Sequence, residues 1–167
     1  RIHDSPLTST EVNASFTTGP DVFVGPAPTL TINRDTGNVT LSNSGSSTQV
    51  AGLDITSTAG SLNVAGWTSI SDNADANDGG SFDGGSNWSI SSSTALQLTE
   101  SADSGAGGTL SANTVNLGAA WLQSNIEDVF ATATLSGGGA TPVDVNFVGN
   151  GDAAFSRSDL NFDGTVN

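Results

Sequence analysis

Residues 29–70 read TLTINRDTGNVTLSNSGSSTQVAGLDITSTAGSLNVAGWTSI, and this stretch decides the fold class. Two short runs alternate apolar and polar residues, which is typical of strands with one buried face and one exposed face. Their apolar members are Leu30, Ile32, Val39 and Leu41. Between the runs, Asp35 can bond nearby backbone and Gly37 accepts a positive φ, so residues 34–37 predict a hairpin turn. A third strand is predicted over residues 50–55.

The dipeptide Gly66-Trp67 follows these strands, in a chain that has 3 Trp and no Tyr. Its position predicts that the indole fills the core at a corner of the sheet. The alternative is an exposed indole on which a sugar ring stacks. Trp88 and Trp121 are open to the same two interpretations.

Two motifs of this stretch carry a family resemblance: TGNVTLSN at 36–43 and GSLNVAGWTS at 60–69. They resemble a module of secreted and surface proteins of planctomycete-type bacteria, and the similarity extends over residues 29–148. In such proteins the module commonly precedes a dockerin-like calcium segment or a C-terminal sorting signal. The resemblance implies an extracellular or cell-surface location and brings no catalytic residues with it.

Composition limits the function classes. The 167 residues include 17 acidic residues against 3 arginines, for a net charge of −14. Such a surface repels a phosphate backbone, which argues against nucleic-acid partners, and attracts hard cations such as Ca²⁺. Solubility alone also explains most of these carboxylates. No cysteine is available for disulfide or thiol chemistry, and no apolar run is long enough to span a membrane.

Residues 1–28 differ from the module and predict an extended N-terminal arm. Two apolar runs within it include Val12, Phe16, Val22 and Val24. The prolines at 26 and 28 then predict a stiff, extended spacer. The arm either pairs with its own sheet or adds as a strand to a neighbouring subunit.

The module, residues 29–150, continues after Trp67 with an acidic, Gly-rich loop. Its carboxylates could gather around Ca²⁺, although a solvated loop is the simpler interpretation; they are Asp72, Asp75, Asp78 and Asp83, with Asp54 on the strand before it. Further short alternating runs separated by turn residues bring the count to about nine strands. Residues 117–130 are the one segment that could form a short helix. The predicted fold is all-β, an antiparallel β-sandwich of jelly-roll-like or immunoglobulin-like type.

The last segment, residues 151–167, predicts a linker and a truncated dockerin-like, EF-hand-like calcium loop. DLNFDGTVN at 159–167 matches the start of the pattern D-x-[DN]-x-[DN]-G. The expected oxygen ligands are Asp159, Asn161, Asp163, Thr165 and Asn167. The bidentate acid of position twelve would follow Asn167, so Ca²⁺ is the expected cofactor of an incomplete site. The alternative is an Asp-rich turn without a metal.

Three functions remain to be weighed. Catalysis is disfavoured because the chain has one histidine (His3), no cysteine, no lysine and no evident pair of carboxylates. The leading hypothesis is a non-catalytic, self-assembling extracellular filament or surface protein, whose subunits join by strand addition and calcium. The alternative is a carbohydrate-binding accessory module of a larger secreted protein, in which Trp67, Trp88 and Trp121 contact a polysaccharide.

Overall fold

A computed structural model describes residues 27–45, 47–75, 82–85, 87–103, 107–111 and 114–166. Nine strands form in this part of the chain: β1 Thr29–Asn33, β2 Val39–Ser42, β3 Thr48–Ser57, β4 Trp88–Thr94, β5 Gln97–Ala102, β6 Gly108–Leu110, β7 Val115–Asn116, β8 Val129–Leu135 and β9 Ala140–Val148. The predicted all-β class is therefore confirmed. Residues 117–130 contain no helix, and a single 3-10 turn, Asn150–Asp152, follows β9.

The strands pair in the order β4-β5-β3-β8-β9-β1-β2-β7, with β6 beside β3. This pairing describes one curled, mixed sheet rather than two separate antiparallel sheets. All pairs are antiparallel except β1 with β9, which run parallel. Two isolated bridges, Leu62 with Trp121 and Trp67 with Gly118, add contacts between loops outside the named strands.

The β1–β2 hairpin forms where the alternating pattern places it, with Leu30 opposite Leu41 and Ile32 opposite Val39. Its turn differs from the prediction in one detail. The side chain of Asn33, rather than Asp35, accepts the backbone N–H groups of residues 35 and 36. Gly37 adopts the expected positive φ of 72°. Asp35 instead accepts the backbone N–H of Asn150 and so ties the turn to the segment after β9.

The core forms from the inward residues of the alternating strands. In β8, for example, Val129, Ala131 and Ala133 are buried while Phe130 is 65% exposed. Burying a Leu, Ile or Val side chain contributes about 1.5–3 kcal/mol, so these positions drive the sheet to curl around a common interior. Its largest side chains with almost no exposure are Trp121, Leu30, Ile32, Leu41, Ile70, Leu98, Leu110 and Leu117.

Strand β9 changes partner along its length. Residues 140–143 pair with β8, whereas Asp144–Val148 pair with β1. The other end of β8, from Val129 to Phe130, pairs with β3 alone. Strands β8 and β9 therefore diverge after the Ala131–Val143 pair and leave a split in the sheet. On one side of it lie β3 to β6 with β8, and on the other lie β9, β1, β2 and β7.

Candidate functional site

The tail loop, residues 159–165, folds around the carboxylate of Asp159. One oxygen of Asp159 accepts the backbone N–H of Asp163 at 3.2 Å, and the other accepts that of Gly164 at 2.8 Å. Gly164 has a φ of 84°, the sharp turn that its place in the motif requires. Asp159 is 2% exposed, so the loop is built on a buried acid rather than on a solvated one.

The two other described side-chain ligands meet each other in the same loop. The amide of Asn161 donates to Asp163 Oδ2 at 2.7 Å, and the backbone N–H of Thr165 donates to Asp163 Oδ1 at 2.8 Å. These hydrogen bonds, that from Thr165 first, hold the pKa of Asp163 below its usual value. Asp163 therefore stays ionised, as a cation ligand must. Asn167 lies outside the described residues.

The donor set of the loop fits a hard cation. Asp159, Asn161 and Asp163 present carboxylate and amide oxygens from alternate positions around a turn, which is the chemistry that Ca²⁺ prefers. The described residues contain no group of three or more acidic, His or Cys side chains suited to a metal. As possible side-chain ligands, the described part of this loop supplies the carboxylates of Asp159 and Asp163 and the amide of Asn161. A bound Ca²⁺ would add positive charge and crosslink these oxygens.

The tail is packed onto the module instead of hanging from it. Phe155 is 4% exposed and belongs to the core, and its ring meets that of Phe162 edge-on at 5.4 Å between centroids. The amide of Asn150 donates to the carbonyl of Ala153 at 2.9 Å. The segment predicted as a linker thus contributes Phe155 to the core, and Gly164 of the loop lies beside Asn150, just after β9.

The acidic loop after Trp67 does not gather its described carboxylates around one point. Each accepts hydrogen bonds from a different protein group. Asp54 accepts hydrogen bonds from the side chains of Gln97 and Thr99, and Asp72 accepts one from the hydroxyl of Ser69. Asp75 accepts the backbone N–H of Trp88, and Asp83 accepts its indole N–H. Asp78 lies outside the described residues. These contacts give the described acids structural roles.

The three indoles do not form an exposed stacking surface. Trp88 and Trp121 are 6% and 1% exposed, and both belong to the core. Trp67 is partly buried and packs against it. The indole of Trp88 contacts Phe82, and that of Trp121 contacts Phe147, at centroid distances of 5.6 and 5.4 Å. The structure therefore places Trp88 and Trp121 in the core and Trp67 partly buried against it, so these three side chains do not supply the exposed aromatic face that sugar stacking needs.

Glu100 is a buried acid that belongs to none of the sequence motifs. It lies on β5, 1% exposed, and its Oε2 accepts the backbone N–H groups of Ile70 and Ser71 at 2.7 and 3.2 Å. Its Oε1 has no hydrogen-bond partner among the described residues. Burial raises the pKa of Glu100 to about 7, against the lowering effect of these two donors, and Asp72 adds a smaller increase. The signal in the sequence is its alternation with Leu98, which places a carboxylate on the core face.

An open cleft of about 390 Å³ occupies the split between β8 and β9. Its lining presents polar and apolar surface in about equal parts and consists of Glu127, Val129, Phe130, Ala131, Pro142, Val143, Asp144, Val145 and Phe147. At one end, Arg34 reaches from the end of β1 to Glu127, which precedes β8. No sequence motif indicated this cleft, because it arises from the way in which distant strands pair.

The arm residues Val12, Phe16, Val22 and Val24 lie outside the described residues, so their pairing stays a prediction. The structure shows where the arm joins the module. The carbonyl of Pro28 accepts the backbone N–H of Asp144 at 2.8 Å, which places the start of the module beside the rim of the cleft.

Comparison with known proteins adds no assignment. No family model, no curated protein and no solved structure matches this chain. Within the described ranges, the structure has no helix that is long and apolar enough to cross a membrane.

Proposed function

We propose that this protein is a non-catalytic structural subunit of an extracellular or cell-surface assembly, in which copies join by strand addition and calcium. The observation that carries the proposal is that the sheet has unpaired strand edges. Among the described residues, it ends on an uncovered edge strand, and it is split where β8 and β9 diverge. Unpaired strand edges are ready sites for pairing with another chain.

The edge strand β4 lacks the devices that keep edges apart. Its seven residues, WSISSST, contain no charge and no proline, and the side chains of most of them are exposed. Monomeric proteins usually protect an exposed edge strand from pairing with another chain by a lysine, a proline or an inward-pointing charge. In a chain that carries 17 acidic residues, a neutral edge of this length supports contact with another strand.

Calcium has two roles in this proposal. The loop of Asp159, Asn161 and Asp163 turns around the carboxylate of Asp159, and Phe155, which precedes it, is buried in the module; both features support calcium binding there. In addition, copies with a net charge of −14 repel one another, and a divalent cation reduces that repulsion. Calcium would therefore favour assembly both at the loop and over the surface.

The described carboxylates support a non-catalytic role. Asp54, Asp72 and Asp83 are engaged by separate donors, and Glu100 faces the core. Glu127 and Asp144 both line the cleft between β8 and β9, but Arg34 engages Glu127 through two hydrogen bonds.

Electron microscopy of the protein with calcium and after chelation tests the proposal. We expect regular fibres or sheets with calcium, which shorten or dissolve when calcium is removed. A variant that lacks residues 1–26 should stay monodisperse in both conditions while it keeps its β-sheet circular dichroism spectrum. Monodisperse full-length protein in both conditions would contradict the proposal, and binding in a glycan-array screen would then favour the carbohydrate-binding role.

A further inference from the structure

We infer that the cleft between β8 and β9 receives residues 12–16 of a second copy of this chain as an added strand. The inference rests on the proposed function and names the acceptor site for it. It is carried by the geometry of the split, the backbone groups that face it, the chemistry of its floor, and the position from which the arm departs.

Two strand segments that do not pair with each other border the cleft. On one side, β8 is free of β9 from Val129 to Phe130, and on the other β9 is free of β8 from Asp144 to Val148. The space between them has a volume of about 390 Å³. The contact between Arg34 and Glu127 lies at its far end. In the part of the chain that is described, no strand occupies this space.

Backbone groups of β9 point into the split. The N–H of Asp144 donates to Pro28, and the carbonyl of Val148 accepts from Arg34, so both of these residues face β1. Because the direction of these groups alternates along a strand, those of Val145 and Phe147 face the opposite edge, toward β8. An inserted strand would pair with them, which is the usual source of affinity in strand addition.

The lining of the cleft includes five apolar side chains that are buried or partly buried. Val129, Ala131 and Val143 are buried at its base, and Val145 and Phe147 are partly buried against the core. A strand that alternates apolar and polar residues would cover these side chains with one face and present the other to water. Residues 12–16, VNASF, have this alternation, with Val12, Ala14 and Phe16 on one side.

The charge of the cleft is compatible with the same segment. Asp144 lies exposed at the rim, so an acidic strand would be repelled there. Residues 12–18, VNASFTT, contain none of the 17 acidic residues of the chain. Each apolar run of the arm directly follows an acid, Glu11 in the first case and Asp21 in the second.

The spacer favours a neighbour over the same subunit. The arm leaves the module at Pro28, beside the rim of its own cleft. The prolines at 26 and 28 favour an extended backbone, which disfavours a sharp reversal of the chain into its own cleft. The ten residues between Phe16 and Ala27 span up to roughly 35 Å, so the arm can extend well beyond the point where it leaves the module.

Disulfide trapping tests this assignment, because the chain contains no native cysteine. Protein carrying Phe16→Cys is mixed with protein carrying Val145→Cys, allowed to assemble with calcium, and oxidised. We expect a mixed dimer at least tenfold more abundant than that formed with Leu160→Cys, a matched variant at an 88% exposed site of the tail. Ile90→Cys reports on the alternative acceptor, the edge strand β4. Phe130→Cys on the exposed side of the cleft replaces Val145→Cys if that variant fails to fold.

The outcomes separate the inference from the proposed function. Trapping with Ile90→Cys instead of the cleft variants, in protein that still forms fibres, overturns the cleft assignment and leaves assembly in place. A disulfide that forms within a Phe16→Cys/Val145→Cys chain, and never between the single variants, shows that the cleft holds its own arm and also overturns the inference. Absence of both trapping and fibres overturns the inference together with the proposed function.

Discussion

The side chains of Arg34 and Glu127 meet across the split of the sheet, with Arg34 Nε 2.6 Å from Glu127 Oε1, although 93 residues separate them in the chain. A second bond joins Nη2 of Arg34 to Oε2 of Glu127 at 3.2 Å. The guanidinium also lies 5.5 Å from the ring centroid of Phe147 and donates to the carbonyl of Gly149. One arginine thus connects β1, the end of β9 and the segment before β8.

Removing Arg34 should destabilise the fold strongly. The side chains of Arg34 and Glu127 are 7% and 21% exposed, so Arg34→Ala leaves a largely buried carboxylate without its partner. Breaking such a pair costs about 3–5 kcal/mol, and we expect a loss near the lower figure because Glu127 keeps some contact with water. Chemical denaturation measures the loss.

Arg157→Ala is the matched control, because Arg157 is exposed and its loss should change stability by no more than about 0.5 kcal/mol. The double variant Arg34→Ala/Glu127→Ala should lose less than the sum of the two single variants. Additive losses would show that the two side chains do not stabilise each other.

Glu100 should make stability depend on pH near neutrality. Its pKa is about 7 in the folded chain, against an ordinary value of 4.5. The folded state therefore holds its proton more tightly than the unfolded state. The stability that this brings is complete below pH 4.5 and is lost as pH rises through 7, by about 3 kcal/mol in total.

Glu100→Gln removes the titration and keeps an oxygen to accept the N–H of Ile70. We expect the variant and the original protein to differ little in pH dependence below pH 4.5. Between pH 4.5 and 8 the variant should gain about 3 kcal/mol relative to the original protein, as measured by urea denaturation at each pH. Parallel stability profiles for the two proteins would mean that Glu100 titrates at an ordinary pKa.

Asp83 should stabilise the folded state by accepting the hydrogen bond of the buried Trp88 indole. Its carboxylate is 4% exposed and accepts the indole N–H at 3.1 Å, and its other oxygen accepts the N–H of Gly85. Asp83→Ala leaves the buried indole donor without a partner, at a cost of about 1–3 kcal/mol. Denaturation followed by tryptophan fluorescence measures this loss. Asp103→Ala, which removes an exposed acid bonded to Ser89, should have little effect. Equal losses in the two variants would contradict the role of Asp83.

Calcium should raise the melting temperature through the tail loop. A ligand at one hundred times its dissociation constant stabilises the folded state by about 2.7 kcal/mol. Asp163→Asn should reduce that calcium-dependent gain, because it removes a carboxylate ligand at an exposed position and leaves the buried Asp159 in place. Thermal unfolding with calcium and with chelator measures the effect, with Asp103→Asn as control. The same response to calcium in Asp163→Asn and in the control would exclude this loop as the site.

Local patterns predicted the local structure well. The alternation of Leu30, Ile32, Val39 and Leu41 predicts the β1–β2 hairpin, because the two-residue period of a strand can be recognised from neighbouring residues alone. The prediction that Asp35 bonds the backbone of the turn is wrong, because Asn33 offers a similar acceptor two residues earlier and makes these hydrogen bonds. Ala95 and Leu96, which pattern alone would place in a strand, form the turn before β5.

Long-range pairing could not be predicted in this way. Residues 29–33 carry no mark that they pair in parallel with residues 144–148, and the cleft exists only because β9 changes partner at Asp144. The buried position of Trp88 and Trp121 also depends on which strands cover them. The tail loop is the exception among candidate sites, because all its described ligands lie within seven consecutive residues.

The parallel pairing of β1 with β9 also determines how the module would respond to a pulling force. The chain enters β1 at Thr29, beside Asp144, and leaves β9 at Val148, beside Asn33. Tension between the flanking segments therefore acts along the two strands in opposite directions, as shear. The hydrogen bonds of the five paired positions share that load and must break together, whereas a pair pulled apart from one end opens bond by bond. A chain of such modules would resist stretching at the point where each one begins and ends.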